Sequence, residues 1–189
     1  MKSGIITFLF CMAASFAADA QTTINNVTLP AKIKQDNTEL TYNGGGIRKK
    51  YGLVKVYVIG LYAPEKSKNG NDLISADKPL AVRLTITSGM ATSSRMSEAI
   101  QEGFGKSMKG NTAPLQSQIT SFIETFKKED IKEGDVFELW YIPGVGVKSF
   151  KNGQLKNTTT GLDFKKAFFG IWLSDTPVDE DLKKEMLGQ

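Results

Sequence analysis

Residues 41–62 read TYNGGGIRKKYGLVKVYVIGLY, and this stretch decides the fold. Three glycines, Gly44 to Gly46, separate two strand-like segments. Because glycine permits positive φ angles and close approach of a partner, the run predicts a tight turn or a β-bulge that re-aims the next long side chain. That side chain belongs to Arg48, whose guanidinium is either a solvated charge at a strand edge or an anion-binding group inside a pocket.

Segment 53–62 predicts an interior strand. Its apolar residues occupy both alternating faces, which is typical of a strand that is covered on both sides. The alternation places Tyr57 on one face of this strand and Tyr62 on the other.

Alternating or β-branched patterns predict further strands at 28–33, 39–42, 80–87, 136–142, 145–151 and 154–158. The last two flank Asn152-Gly153, a strong signal for a tight hairpin. Residues 158–160 are three threonines, which either line a pocket or continue an edge strand.

Apolar residues at helical spacing predict four helices. The first begins near Thr92, whose hydroxyl is suited to capping, and the second near residue 112, with Pro114 in its first turn. The third covers 162–173, and the fourth covers 178–187 and stops at Gly188. Segment 66–72 is expected to be an exposed loop.

Strands and helices are segregated along the chain, which predicts an α+β fold with an antiparallel sheet and helices on one face. A sheet covered on one side leaves a cleft between sheet and helices, where small apolar ligands commonly bind.

The first twenty residues predict a secretory signal peptide. Lys2 precedes an apolar run, and Ala18-Asp19-Ala20 fits a small-x-small cleavage site. We therefore expect residues 1–20 to be removed and residues 21–189 to form a single domain, exported to the periplasm or secreted. The bulky residues before Cys11 disfavour lipoprotein cleavage, and no later stretch is long and apolar enough to span a membrane.

Composition excludes several kinds of chemistry. The chain has no histidine, and its one cysteine lies inside the predicted signal, so thiol, histidine and Cys/His zinc sites are ruled out in segment 21–189. We expect no metal and no cofactor. The net charge of +4 is spread among interspersed lysines and acids, which argues against nucleic-acid binding. The carboxylates at 129–130 and 179–181 are interpreted as solvated.

Two motifs resemble the signature of the chalcone isomerase-like family. Segment 43–48 (NGGGIR) is followed by 55–62 (KVYVIGLY), and segments 161–172 (GLDFKKAFFGIW) and 177–179 are similar to the family's last helices. The resemblance extends from 27 to 188 and is greatest to the exported bacterial branch. It implies an open-faced β-sandwich, in which a large antiparallel sheet carries a layer of helices on one face, with a cleft between them.

The resemblance also implies candidate site residues. The family's plant enzymes cyclise chalcones without a cofactor, and Arg48 matches the arginine that holds the phenolate and stabilises the developing enolate. Their threonine falls at Tyr57 here, while their helix tyrosine and asparagine fall near Thr92 and Ala99. Fatty-acid-binding relatives keep the arginine to hold a carboxylate in an apolar cleft, a role that requires less of the remaining site.

Three functions are therefore open. The leading hypothesis is a non-catalytic carrier of a small apolar or anionic molecule such as a fatty acid, bound by Arg48, Tyr57, Thr92 and Ala99. The second is a cofactor-independent isomerase or intramolecular lyase that acts on an enone-type substrate through Arg48 and Tyr57. The third is a structural or protein-interaction role. The oligomeric state is not predicted.

Overall fold

The computed structural model describes residues 21–50, 54–128 and 130–189, so the predicted signal segment lies outside the described residues. The strands are β1 (Thr22–Ile24), β2 (Val27–Leu29), β3 (Lys32–Gln35), β4 (Thr38–Lys50), β5 (Val54–Ala63), β6 (Leu80–Ile86), β7 (Val136–Ile142), β8 (Gly146–Lys151) and β9 (Gln154–Thr159). The helices are α1 (Gly70–Ser75), α2 (Ser93–Ser107), α3 (Gln116–Lys127), α4 (Leu162–Leu173) and α5 (Glu180–Met186), with a 3₁₀ turn at Ala113–Leu115 before α3.

Strands β3 to β9 form one sheet in chain order, and each strand pairs antiparallel with the next. Strands β1 and β2 form a separate hairpin. Leu29 of this hairpin lies over Gly60, where an added Cβ would be 3.3 Å from both Leu29 methyl carbons. The hairpin therefore packs where the sheet lacks a side chain.

The helices and one face of the sheet enclose the main apolar core. Phe104 of α2, Phe122 of α3 and Phe168 of α4 are fully or almost fully buried, and each contacts the other two rings. A smaller apolar cluster around Tyr62 and Trp140 lies on the opposite face of the sheet. The predicted α+β fold, with an antiparallel sheet and helices on one face, is confirmed.

Local patterns were good predictors of most elements. Helix α4 and strand β7 have the predicted bounds, and Thr92 caps α2 by accepting a hydrogen bond from the Arg95 N–H. Asn152 and Gly153 have φ angles of 50° and 79°, as the predicted hairpin requires. Tyr57 and Tyr62 belong to apolar clusters on opposite faces of the sheet, again as predicted.

Two predictions in the first half of the chain are wrong. Segment 28–33 is two strands rather than one, and the break falls at Pro30, which has no N–H to donate to a ladder. Segment 66–72 is not wholly loop, because α1 begins within it. The Asn69 side chain accepts hydrogen bonds from two backbone N–H groups and starts this short helix.

The glycine run is not a turn. Gly44 to Gly46 lie inside the continuous strand β4, none of them has a positive φ angle, and they pair with β5. The alternative prediction, a bulge, is only nearly correct: a register shift leaves Asn43 as the extra residue just before the run, while Gly44 to Gly46 pair in regular register. A second shift follows Arg48, where Val56 of β5 is the extra residue opposite β4.

Among the described residues, no helix is both long enough and apolar enough to cross a lipid bilayer.

Candidate ligand-binding cavity

A cavity of about 250 Å³ lies between the sheet and the helix layer. Its walls are mostly apolar and come from both layers, and they include Leu84, Phe122, Phe137, Leu139, Phe168 and Ile171. Such a mainly apolar cleft with few polar groups is the usual form of a small-molecule site.

Tyr57 and Trp172 form a hydrogen-bonded pair in the cavity wall. The Trp172 indole Nε1–H donates to the Tyr57 hydroxyl oxygen at 3.0 Å, and both side chains line the cavity. Burial raises the pKa of the Tyr57 phenol, so the hydroxyl keeps its proton near neutral pH. Because the indole uses an oxygen lone pair, the phenol proton is available for an acceptor on a ligand.

Arg48 lines the same cavity and pairs with Asp179. The Arg48 Nη1 atom lies 3.1 Å from Asp179 Oδ2, and it also donates to the Lys49 backbone carbonyl. Side-chain exposure is 22% for Arg48 and 20% for Asp179. Two ions that are mostly withdrawn from water interact more strongly than an exposed pair. The interpretation of Asp179 as a solvated carboxylate is therefore wrong.

Asp179 is held by the start of α5 as well as by Arg48. Its Oδ1 atom accepts a hydrogen bond from the Leu182 N–H at 3.1 Å, which makes Asp179 the N-cap of this helix. The preceding Val178 N–H donates to the Ile171 carbonyl at 2.9 Å. The Asp179 carboxylate is thus positioned by the cap of α5 and by the bond of its neighbour to α4.

The glycine run places α5 against the sheet. An added Cβ on Gly44 would lie 2.4 Å from the Glu185 backbone oxygen and 2.7 Å from that of Met186. The Asn43 side-chain amide donates a hydrogen bond to the Met186 carbonyl at 2.8 Å and accepts one from the Ser67 N–H at 2.7 Å. The motif that carries Arg48 therefore also forms the surface on which the helix carrying Asp179 docks.

Charged side chains of both signs line the rest of the cavity. Lys50 and Arg95 contribute positive charge, and Glu98 and Glu102 contribute negative charge. Met90 also lines the cavity and is 49% exposed, so an apolar side chain lies where the cavity meets solvent.

The predicted site residues are only partly brought together. Arg48, Tyr57 and Ala99 line the cavity, but Thr92 is occupied in capping α2 and is not one of the described lining residues. Whether any of the four binds a ligand stays a prediction.

Sequence reasoning missed the two partners, Trp172 and Asp179. A tryptophan within the apolar pattern of α4 carried no sign of its hydrogen bond to a tyrosine 115 positions away. Asp179 carried a weak signal, because it lies in segment 177–179 and precedes a helical pattern, as an N-cap residue does.

The run of threonines at 158–160 continues a strand at the edge of the sheet. Strand β9 is the last strand in the sheet order and extends to Thr159, so the edge-strand alternative is the correct one.

Comparison with protein families gives a match over residues 21–188 to the model described as chalcone isomerase-like. The chain belongs to the chalcone isomerase-like family. A crystal structure of a fatty-acid binding protein from Arabidopsis thaliana has the same fold, with a TM-score of 0.74 and 20% sequence identity. The similarity covers 89% of this chain and 96% of the plant protein. A comparison with curated protein sequences gave no match.

Family membership confirms the predicted open-faced β-sandwich, with its large antiparallel sheet and its layer of helices. At this level of identity, the likeness to the plant protein concerns the fold. The bacterial, exported branch stays a prediction.

Proposed function

We propose that this protein is a non-catalytic carrier for a small apolar ligand with an acidic or other oxygen-containing head group, such as a fatty acid. The observation that supports this best is the mostly apolar cavity with Arg48 and Tyr57 in its wall. The apolar walls would bury the ligand's hydrocarbon portion, and the guanidinium and phenol would donate hydrogen bonds to its head group.

Two further observations support binding over catalysis. The family's helix tyrosine and asparagine correspond approximately to Thr92 and Ala99; Thr92 caps a helix, and the Ala99 methyl group has no hydrogen-bonding capacity. The plant protein that shares the fold is itself a fatty-acid binding protein.

We also propose that the carrier acts outside the cytoplasm. Residues 1–20 have the three parts of a secretory signal, which are a positively charged start, an apolar run and a small-x-small cleavage site. Segment 21–189 has no cysteine, so it needs no disulfide formation after export.

Isothermal titration with saturated fatty acids of increasing chain length tests the proposed function. We expect Arg48→Met to weaken binding by roughly tenfold to a hundredfold, since a hydrogen bond to a charged group contributes about 1.5–3 kcal/mol. The matched control is Arg83→Met. Arg83 forms a similarly half-buried ion pair with Glu138, but on the opposite face of the sheet, so its loss should leave the affinity unchanged.

Two results would contradict the carrier hypothesis. One is the absence of fatty-acid binding, and the other is equal binding by the wild-type protein and Arg48→Met. Turnover of a chalcone by the wild-type protein, lost in Arg48→Met and retained in Arg83→Met, would support the isomerase alternative.

A further inference from the structure

Arg48 has an internal carboxylate partner at the place where a ligand's acid group would bind. Asp179 Oδ2 lies 3.1 Å from Arg48 Nη1, at normal ion-pair distance. The two residues are 131 positions apart in the sequence, so only the docking of α5 on β4 brings them together. Any ligand carboxylate that approaches Arg48 also approaches the negative charge of Asp179.

Asp179 cannot readily move away from this position. Its Oδ1 atom caps α5 through the Leu182 N–H, while Oδ2 contacts Arg48. Helix α5 in turn lies directly on Gly44, and the Asn43 side chain bonds to the carbonyl of Met186 near its end. Displacing the carboxylate would therefore require loss of the helix cap or undocking of the helix.

The guanidinium can nevertheless accept a second partner. In the described part of the chain, both of its hydrogen bonds, to Lys49 and to Asp179, are made by Nη1. Arginine has five N–H donors, so those on Nη2 and Nε are left for a ligand oxygen. The Tyr57 phenol is a further donor in the same cavity wall.

Asp179 offsets the charge that Arg48 would present to an anion. The two groups form an ion pair of zero net formal charge. The other charged side chains that line the cavity are of both signs, with Lys50 and Arg95 positive and Glu98 and Glu102 negative. The Arg48–Asp179 pair therefore offers N–H donors to an oxygen atom without a net positive charge to attract an anion.

We infer that Asp179 is a specificity-determining residue that suppresses the cavity's preference for carboxylates, so that neutral oxygen head groups such as esters bind about as well as the corresponding acids. This inference rests on the proposed function. It adds a charge rule, namely that a charged acid head group binds no more tightly than a neutral ester. A ligand carboxylate gains contact with Arg48 but is repelled by Asp179, whereas an ester oxygen accepts the same hydrogen bonds without that repulsion.

The test measures the dissociation constants of a fatty acid and of its methyl ester, at the chain length that binds best, at neutral pH. The variant is Asp179→Asn, because asparagine is as good an N-cap as aspartate and keeps α5 in place. The matched control is Asp181→Asn. Asp181 lies in the same first turn of α5, its side chain is 93% exposed, and it pairs with Lys184 away from Arg48.

We expect the wild-type protein and Asp181→Asn to bind acid and ester with affinities within about threefold of each other. Asp179→Asn should bind the acid at least about tenfold more tightly than the wild-type protein does, which corresponds to 1.36 kcal/mol, with ester affinity unchanged. Thermal unfolding of each variant verifies that α5 remains packed.

Different results overturn the inference and the proposed function. If ligands bind but the acid-to-ester ratio is the same in Asp179→Asn and the wild-type protein, the charge rule is wrong and the carrier function stands. If Asp181→Asn changes the ratio as much as Asp179→Asn does, the effect is one of net charge, and the specific role of Asp179 is wrong. If neither acid nor ester binds to any variant, both proposals fail.

Discussion

Gly44→Ala should destabilise the protein by about 3 kcal/mol or more, which exceeds the usual cost of an extra methyl group in a packed interior. The new Cβ would lie 2.4 Å from the Glu185 backbone oxygen and 2.9 Å from the Met186 carbonyl carbon. Both are backbone atoms of the C-terminal helix, so relief of the clash requires movement of the helix itself. Chemical denaturation measures the change in the free energy of unfolding.

Two other glycines provide controls for this effect. Gly105 lies in α2 with nothing within 4 Å of an added Cβ, and Gly105→Ala should stabilise the protein by up to about 1 kcal/mol through helix propensity. At Gly46 the nearest atom is the Glu185 carboxylate, at the end of a flexible side chain. Gly46→Ala should therefore be milder than Gly44→Ala.

The Glu185 side chain allows a sharper test of the same explanation. Addition of Glu185→Ala removes the carboxylate next to Gly46 but leaves the backbone oxygen next to Gly44. It should therefore rescue Gly46→Ala and leave Gly44→Ala as unstable as before. Equal stabilities of the Gly44→Ala and Gly105→Ala variants would contradict close helix packing as the reason for the glycine run.

Lys165→Met should have the second large effect on stability. Lys165 is fully buried in α4, and its Nζ donates hydrogen bonds to the carbonyls of Leu73, Ile74 and Ala76 at 2.6, 2.8 and 2.8 Å. These carbonyls lie at the end of α1, where helical carbonyls lack partners within the helix. Methionine has a similar shape but no donor, so we expect a loss of about 3 kcal/mol of unfolding free energy.

The neighbouring Lys166 provides the matched control for this substitution. Its side chain is 43% exposed and pairs with Asp163 one turn away on the helix surface. Lys166→Met should change the free energy of unfolding by less than about 0.5 kcal/mol. If Lys165→Met were as stable as the wild-type protein, the cost of burying the ammonium group would equal or exceed the gain from its three hydrogen bonds.

The titration of Lys165 adds a dependence of stability on pH. Burial lowers its pKa to about 8, whereas the unfolded chain has the ordinary lysine value near 10.4. Between these values the unfolded chain binds more protons than the native chain, so the contribution of Lys165 to stability rises with pH. From pH 8 to pH 10, the stability of the wild-type protein should therefore increase relative to that of Lys165→Met.

Much of the fold could be predicted because its causes are local. The spacing of apolar residues in α4 and their alternation in β6 are each set by the surface on which the element packs. Asn152-Gly153 adopts the turn that its backbone preferences favour. The short helix α1 was missed because one capping residue, Asn69, starts it within a polar stretch. Six residues are too few for a periodic pattern to appear.

The candidate site was predictable only at Arg48, Tyr57 and Ala99, which line the cavity of the structure. Thr92 was placed by the resemblance near a family site residue, yet in the structure its hydroxyl is used by its own helix. An N-cap and a ligand-binding hydroxyl look alike in sequence, because both are short polar side chains at a helix start.

The sequence by itself determined the class of the fold, the cap of α2, the bounds of α4, and the absence of histidine and cysteine chemistry from residues 21–189. Only the tertiary structure decided that Arg48 carries a counter-ion, that Tyr57 is bonded to Trp172, and that the glycines accommodate a helix. The physical reason is distance along the chain. Periodicity and capping depend on neighbours a few positions apart, whereas these contacts join residues more than 100 positions apart, and no local preference encodes them.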